Sequence, residues 1–336
     1  MKIQKIQKIG FQWEMEDPFL FCAHHKDNFP IGDKNQAVRI PLNGRNIGSD
    51  FSGRDGFSMY HGETVPGFPM HPHRGFETVT IVLKGLVDHF DSYGSSGRYG
   101  NGDVQWLTTG RGCQHSEMFP LVDQENGKTA ELFQIWLNLP AKDKFADPAY
   151  KMLWSEDIPL IQIASKDNNC TKIRLISGRM FGAESLSPCP FSWANNPENN
   201  VGIFLIRLEP EAELTLHAVS KTILRNLYFY EGNDVIKIED KAIQSSNRIK
   251  LSGSDEIVIT NGKSESFLLL LEGEPIGETV AQYGPFVMNT EKEIRDAFTD
   301  YRNTQFGGWP WDRTDPVHER NVGRIARYAD GTIETR

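Results

Sequence analysis

Apolar positions in this chain come in short runs broken by glycine, proline and polar turns, and over most of its length they carry no helical period. Phe19-Leu20-Phe21-Cys22-Ala23 reads as a strand, with a turn at Pro30-Ile31-Gly32-Asp33. Glu77 to Leu83 is a nearly continuous apolar and β-branched stretch that stops at Lys84-Gly85, the pattern of a strand buried on both faces. Asp91 to Gly97 is a loop. Gly102-Asp103 opens the strand Val104 to Thr108, and Glu131 to Leu139 sets Phe133, Ile135, Leu137 and Leu139 on one face. Short strands at this regular spacing, joined by Gly-rich turns, predict a sandwich or barrel.

From about 160 to 285 the pattern repeats. Leu227 to Gly232 matches Thr80 to Gly85, and Ser254 to Gly262 matches Gly102 to Gly110. The repeat keeps the strands and loses the polar chemistry: His217 stands near the place of His71, and Phe267 to Leu271 falls where His115 and Glu117 would be. The polar, Pro-bearing stretch Asp143 to Pro159 reads as the connection between the halves. One helix is predicted, where Thr290-Glu291-Lys292-Glu293 has the form of a capping box and Ile294, Ala297, Phe298 and Tyr301 make an apolar stripe. Beyond Gly307-Gly308-Trp309-Pro310-Trp311 the tail is polar, and only its aromatic start reads as anchored. The expected division is a domain over 1–150, a second over 151–290 lacking metal ligands, and a helix with tail over 291–336.

Bulk properties narrow the function. At 336 residues two domains are the default, and 38% hydrophobic with 11% aromatic residues excludes a disordered chain. A net charge of −9 without any basic run argues against direct nucleic-acid binding. No apolar stretch is long enough for a membrane helix, and Met1 to Lys5 lacks the apolar core of a signal peptide. The four cysteines, Cys22, Cys113, Cys170 and Cys189, form no Cys-x-x-Cys pair and read as reduced thiols. A cytoplasmic protein is expected.

The candidate chemistry lies in two short stretches. Met70-His71-Pro72-His73-Arg74-Gly75 and Gly112-Cys113-Gln114-His115-Ser116-Glu117 hold three of the nine histidines. Side chains two apart on a strand share a face, so His71 pairs with His73 and His115 with Glu117. Three imidazoles and a carboxylate around one space suit a divalent metal with open positions. Adjacent His24 and His25 face opposite ways and read as structural or supporting. Cys113 shares the face of His115 and reads as a small packed side chain. Arg74 and Arg111 read as braces for their turns rather than as anchors for an anionic substrate. Trp106 and Phe76 read as core, with an aromatic pocket wall as the other reading.

His71-Pro72-His73-Arg74-Gly75-Phe76-Glu77-Thr78-Val79-Thr80, Gly102-Asp103-Val104-Gln105-Trp106 and Thr109-Gly110-Arg111-Gly112 through His115-Ser116-Glu117-Met118 closely resemble the pirin family of the cupin superfamily. Phe19-Leu20-Phe21-Cys22 with His24 to Asp27, Gly273 to Glu278 and Gln282 to Asn289 extend the resemblance over most of the chain. It implies an all-β bicupin, two tandem β-sandwich barrels with a short C-terminal helix, and one metal in the N-terminal barrel, with Fe(II) favoured. By position its ligands fall on His71, His73, His115 and Glu117. The wider cupin pattern offers Glu77 instead of Glu117. Strand parity permits either, and the resemblance selects Glu117 as ligand, with Glu77 supporting and either carboxylate as general base. The implied activity is that of a mononuclear iron dioxygenase that opens the ring of a flavonol such as quercetin with dioxygen. The alternative is an iron-containing redox sensor that binds a regulatory protein partner without catalysis.

Overall fold

The computed structural model describes residues 1–10, 12–164 and 169–336. Its elements are almost all strands, with one α-helix, Glu291–Thr304, among the described residues. No helix is long and apolar enough to cross a membrane. The chain forms two compact units, each discontinuous in sequence. Ala23–Ser155 folds with Glu278–Arg336, and Met1–Cys22 folds with Glu156–Gly277. These are termed the N-terminal and C-terminal barrels. The contacts therefore divide differently from the contiguous boundaries at 150 and 290, because segments at both ends join sheets through backbone hydrogen bonds, which leave little trace in a hydrophobic pattern.

In the N-terminal barrel one sheet runs Ala149–Leu153, Val104–Thr108, Phe76–Lys84, Lys128–Asn138, Phe19–Phe29. Phe76–Lys84 is central and buried from Phe76 to Val82, as its unbroken apolar run requires. The other sheet runs Ile333–Thr335, Ile325–Arg327, Ser96–Gly100, Leu86–Asp91, Cys113–Met118, Gly67–His73. Val82, Leu132 and Met152 of the first sheet meet Val87 and Tyr99 of the second in one core. The stretch from Asp143 is more than a connection: Ala149–Leu153 pairs in full register with Val104–Thr108, and Trp154 is buried.

In the C-terminal barrel a seven-stranded sheet faces a four-stranded one of Glu213–Leu216, Ile257–Asn261, Ile236–Ile238 and Lys241–Ile243. Its interior is largely aliphatic, with Phe204 and Phe229 among the buried residues. The repeat is present with a shifted correspondence. Leu224–Gly232 does match Phe76–Lys84, down to a register shift at Phe229/Glu231 that answers the one at Val82/Lys84. By pairing order, however, Asn247–Leu251 matches Val104–Thr108, Ile257–Asn261 matches Cys113–Met118, and Ser266–Gly273 matches Lys128–Asn138. The similarity of Ser254–Gly262 to Gly102–Gly110 reflects a shared turn composition, which does not specify the strand that follows it.

The helix begins as expected. Thr290 Oγ1 accepts from the amide of Glu293 at 3.2 Å, while the Glu293 carboxylate accepts from the amide of Asn289 at 3.1 Å, one residue earlier than a regular capping box. Ile294 and Ala297 pack with Phe286, Met288 and Phe306.

The tail is anchored well past its aromatic start. Arg98, 1% exposed, donates to the carbonyls of His318, Glu319, Arg320 and Val322 and forms a paired contact with Asp88, both distances 2.7 Å. Ile325–Arg327 then adds to Ser96–Gly100 as a strand. One buried guanidinium holding four carbonyls is a long-range device that no local pattern reveals. Arg98→Met strands the Asp88 carboxylate and should cost about 3–5 kcal/mol in urea unfolding, whereas Arg98→Met with Asp88→Leu should lose less. Proteolysis of the tail should accelerate in the single variant; equal stability of single variant and parent would contradict this role.

Candidate metal centre

Three neighbouring strands set the site by register. Gly67–His73 pairs with Cys113–Met118 so that His71 stands opposite His115 and His73 opposite Cys113. On the other side Leu86–Asp91 sets His89 opposite Glu117 and Asp91 opposite His115. Cross-strand partners share a face. The imidazoles of His71, His73 and His115 therefore converge, with ring centroids 4.4, 4.8 and 4.9 Å apart. One nitrogen of each lies within 4.8 Å of the others, an arrangement that could hold a metal ion.

Hydrogen bonding orients two of the rings. His71 Nδ1 donates to the Pro69 carbonyl at 2.8 Å, and His73 Nδ1 faces the Pro285 carbonyl at 3.3 Å, which leaves each Nε2 as a lone-pair donor. His73 Nε2 and both nitrogens of His115 are buried without a hydrogen-bond partner. Burial lowers the His71 pKa to about 4 and drives those of His73 and His115 well below the usual value. The rings are thus neutral near pH 7, the state a ligand requires. Orphaned, buried, neutral nitrogens aimed at one another fit a divalent cation and little else.

Glu117 borders the triad. Its Oε2 lies 3.9 Å from His115 Nε2 and accepts from Gln134 Nε2 at 2.5 Å, while Oε1 accepts from Thr80 Oγ1 at 2.9 Å. Burial raises its pKa. Glu77 is elsewhere. Its Oε1 accepts from Trp106 Nε1 at 3.0 Å and Thr108 Oγ1 at 2.6 Å, and strand alternation puts it on the face of Phe76–Lys84 opposite Thr80. Its carboxylate links two neighbouring strands through these bonds.

The remaining candidates sort cleanly. His24 contacts Glu131 at 3.1 Å and His25 contacts the Tyr60 hydroxyl at 3.0 Å, both outside the triad. Arg74 donates to the Arg111 carbonyl and to Asp300, each at 2.6 Å, and so braces its turn. Arg111 is exposed beside Asp147. Burial pushes the Cys113 thiol well up, so it stays protonated. Trp106 is core, while Phe76 lies 5.1 Å from the His73 ring. His217 is on the surface beside Glu256.

Two residues absent from the sequence reading belong here. Trp136 lies 5.4 Å from the His73 ring and 4.3 Å from Phe76. His89, fully buried, lies 5.5 Å from His115 and contacts Asp91 at 3.4 Å. The signal for His89 was the alternation His89-x-Asp91, which mirrors His115-x-Glu117 on a neighbouring strand.

The loop after His73 is locked from behind. Gly75 has φ +87°, and a Cβ there would sit 1.9 Å from the Val287 carbonyl oxygen. Lys144 Nζ donates to the carbonyls of Gly75 and Val287 and to Asn138 Oδ1.

In the C-terminal barrel the strands matching those of the triad present Leu214 opposite Ile259 and Leu216 opposite Ile257, all buried. Reconstituted protein should therefore bind about one metal ion per chain, a count set by the one histidine triad among the described residues. His115→Ala should abolish binding, and His217→Ala and Glu77→Gln should leave it intact, with metal content read by atomic emission. Two tightly held ions, or metal lost on Glu77→Gln alone, would contradict this assignment.

Comparison with known proteins agrees with this geometry. Residues 3–137 match the pirin family model, and residues 203–307 match that of the pirin C-terminal cupin domain. Pirin-1 of Arabidopsis thaliana is 38% identical over 72% of this chain and 78% of its own length. Human pirin is 34% identical over 75% of this chain and 81% of its own. The crystal structure of a quercetin 2,3-dioxygenase from Acinetobacter baumannii superposes with a TM-score of 0.68 at 25% identity, covering 91% of this chain and 96% of that one. With both domain models matched in order and the histidine triad inside the first, the chain belongs to the pirin family, as a bicupin.

Proposed function

We propose that this chain is a mononuclear non-haem iron protein that opens a flavonol ring with dioxygen, quercetin being the probe substrate. The observation that carries the reading is the convergence of three imidazoles, with His73 Nε2 and both nitrogens of His115 buried without a hydrogen-bond partner. His71, His73 and His115 would hold the ion, and Glu117 at their edge would complete the set. Four protein ligands leave positions for substrate and dioxygen around an octahedral ion. Likeness to the Acinetobacter baumannii quercetin 2,3-dioxygenase supports the substrate class. When bound, Fe(II) would supply Lewis acidity toward the flavonol oxygen and the redox chemistry that dioxygen requires.

The chain's own groups account for the rest. Flavonols react with dioxygen once the 3-hydroxyl is ionised, so a base must take that proton. Glu117 Oε2 lies 3.9 Å from His115 Nε2, which puts a carboxylate beside the triad in position to accept that proton. Thr80 and Gln134 fix its orientation. Phe76 and Trp136 form an aromatic wall beside His73 against which a flat ring can lie. The four cysteines are free thiols, in keeping with a cytoplasmic setting.

Iron-loaded protein should deplete quercetin absorbance with matching dioxygen uptake and carbon monoxide release. Glu117→Gln should lower both metal retention and turnover. Trp136→Ala should keep the metal and raise KM more than it lowers kcat. An iron-replete, folded sample with no turnover above its metal-free control would overturn the dioxygenase reading.

A further inference from the structure

The C-terminal barrel has an aliphatic interior but not an inert end. A cavity of about 430 Å³ opens there, and among its lining residues are Arg179, Glu184, Leu186, Phe204, Val219 and Glu272. Glu272 is 4% exposed, and its Oε2 accepts from Arg225 Nε at 2.6 Å. Arg225 is 2% exposed, its Nη2 donates to the His217 carbonyl, and its Nη1 is buried with no hydrogen-bond partner. A buried ion pair with one guanidinium nitrogen unsatisfied is unfavourable unless something else completes it.

Its position in the fold is informative. Arg225 and Glu272 are direct cross-strand partners, as Thr78 and Trp136 are in the other barrel. Arg225 and Thr78 each stand seven residues ahead of a glycine, Gly232 or Gly85, and each of their strands then carries the same register shift. The ion pair thus occupies the place that Trp136 occupies beside His73 in the metal-side barrel. That end of the barrel has exchanged an aromatic wall for opposed charges.

The charges recur at the rim. Arg179 and Glu184 are cross-strand partners on a two-residue ladder, both exposed and both lining the cavity. A ligand of net negative charge would meet the lining carboxylates Glu272 and Glu184, and one of net positive charge would meet Arg179. An apolar ligand would strand the polar lining. A molecule carrying an ammonium and a carboxylate a few bonds apart satisfies both signs, with Leu186, Phe204 and Val219 to receive a side chain. We propose that this cavity is a binding site for a small zwitterion of the free α-amino-acid class, separate from the metal centre.

The test is isothermal titration calorimetry on the full chain, with each of the common L-α-amino acids as probe and glycerol and glucose as uncharged polyol comparators. At least one amino acid should bind at a single site, while the polyols should not. Glu272→Gln should weaken that binding by at least about tenfold. Arg179→Gln, a surface change, should weaken it severalfold. Because Glu272→Gln leaves Arg225 without its counter-charge, Arg225→Met with Glu272→Leu serves as a second variant and should keep the fold while losing the ligand. Metal content should be unchanged in all three. No binding by any amino acid, equal binding by polyols, or affinity unaltered in both Arg179→Gln and the double variant would overturn the proposal.

Discussion

Burying an imidazole whose nitrogen has no partner is unfavourable by about 1–3 kcal/mol for each unsatisfied group. The N-terminal barrel buries His73 and His115 in that condition with His71 against them. Much of the surrounding structure can be understood as holding this arrangement in place. The Pro69 and Pro285 carbonyls fix the two tautomers, Lys144 ties down the loop after His73, and Thr80 and Gln134 fix the neighbouring carboxylate. Strand register matters most, because a one-residue slip of Gly67–His73 would turn its histidines to the other face.

The two barrels show how little of a site is owed to its fold. Pairing order and one register shift are common to both. One presents histidine on the strands where the other presents leucine and isoleucine. The corresponding strands therefore contribute to an apolar core in one barrel, while in the other they converge on a triad that could hold a cation. Chemistry was placed on this frame by substituting a few inward positions.

Much of this was readable from local pattern. Alternation located His71, His73, His115 and Glu117, and the unbroken run from Glu77 to Leu83 marked the central strand. What escaped depended on distant partners. Parity within one strand could not place Glu77 and Glu117 relative to the triad, because that depends on which sheet face each strand turns inward. Glu77 proved to be held by Trp106 and Thr108 on the far side. His89 needed more than its own alternation with Asp91, because only the pairing of its strand with Cys113–Met118 brings it beside the triad. Ala149–Leu153 lies at the edge of one sheet and Ile325–Arg327 one strand in from the edge of the other, and both owe their order to backbone hydrogen bonds rather than to their own apolar pattern.

The clamp made by Arg98 bears on the order in which the molecule is finished. Chains are synthesised from the N-terminus and begin folding as they emerge. Arg98 and Asp88 emerge early, yet the carbonyls to which Arg98 donates and the His318 amide that Asp88 accepts from belong to His318 through Val322. Until those arrive, the sheet that carries His115 lacks its two outermost strands, Ile325–Arg327 and Ile333–Thr335. Completion of the metal-side sheet therefore waits on residues 220 positions further along the chain than Arg98, and until they emerge the barrel presents an open edge.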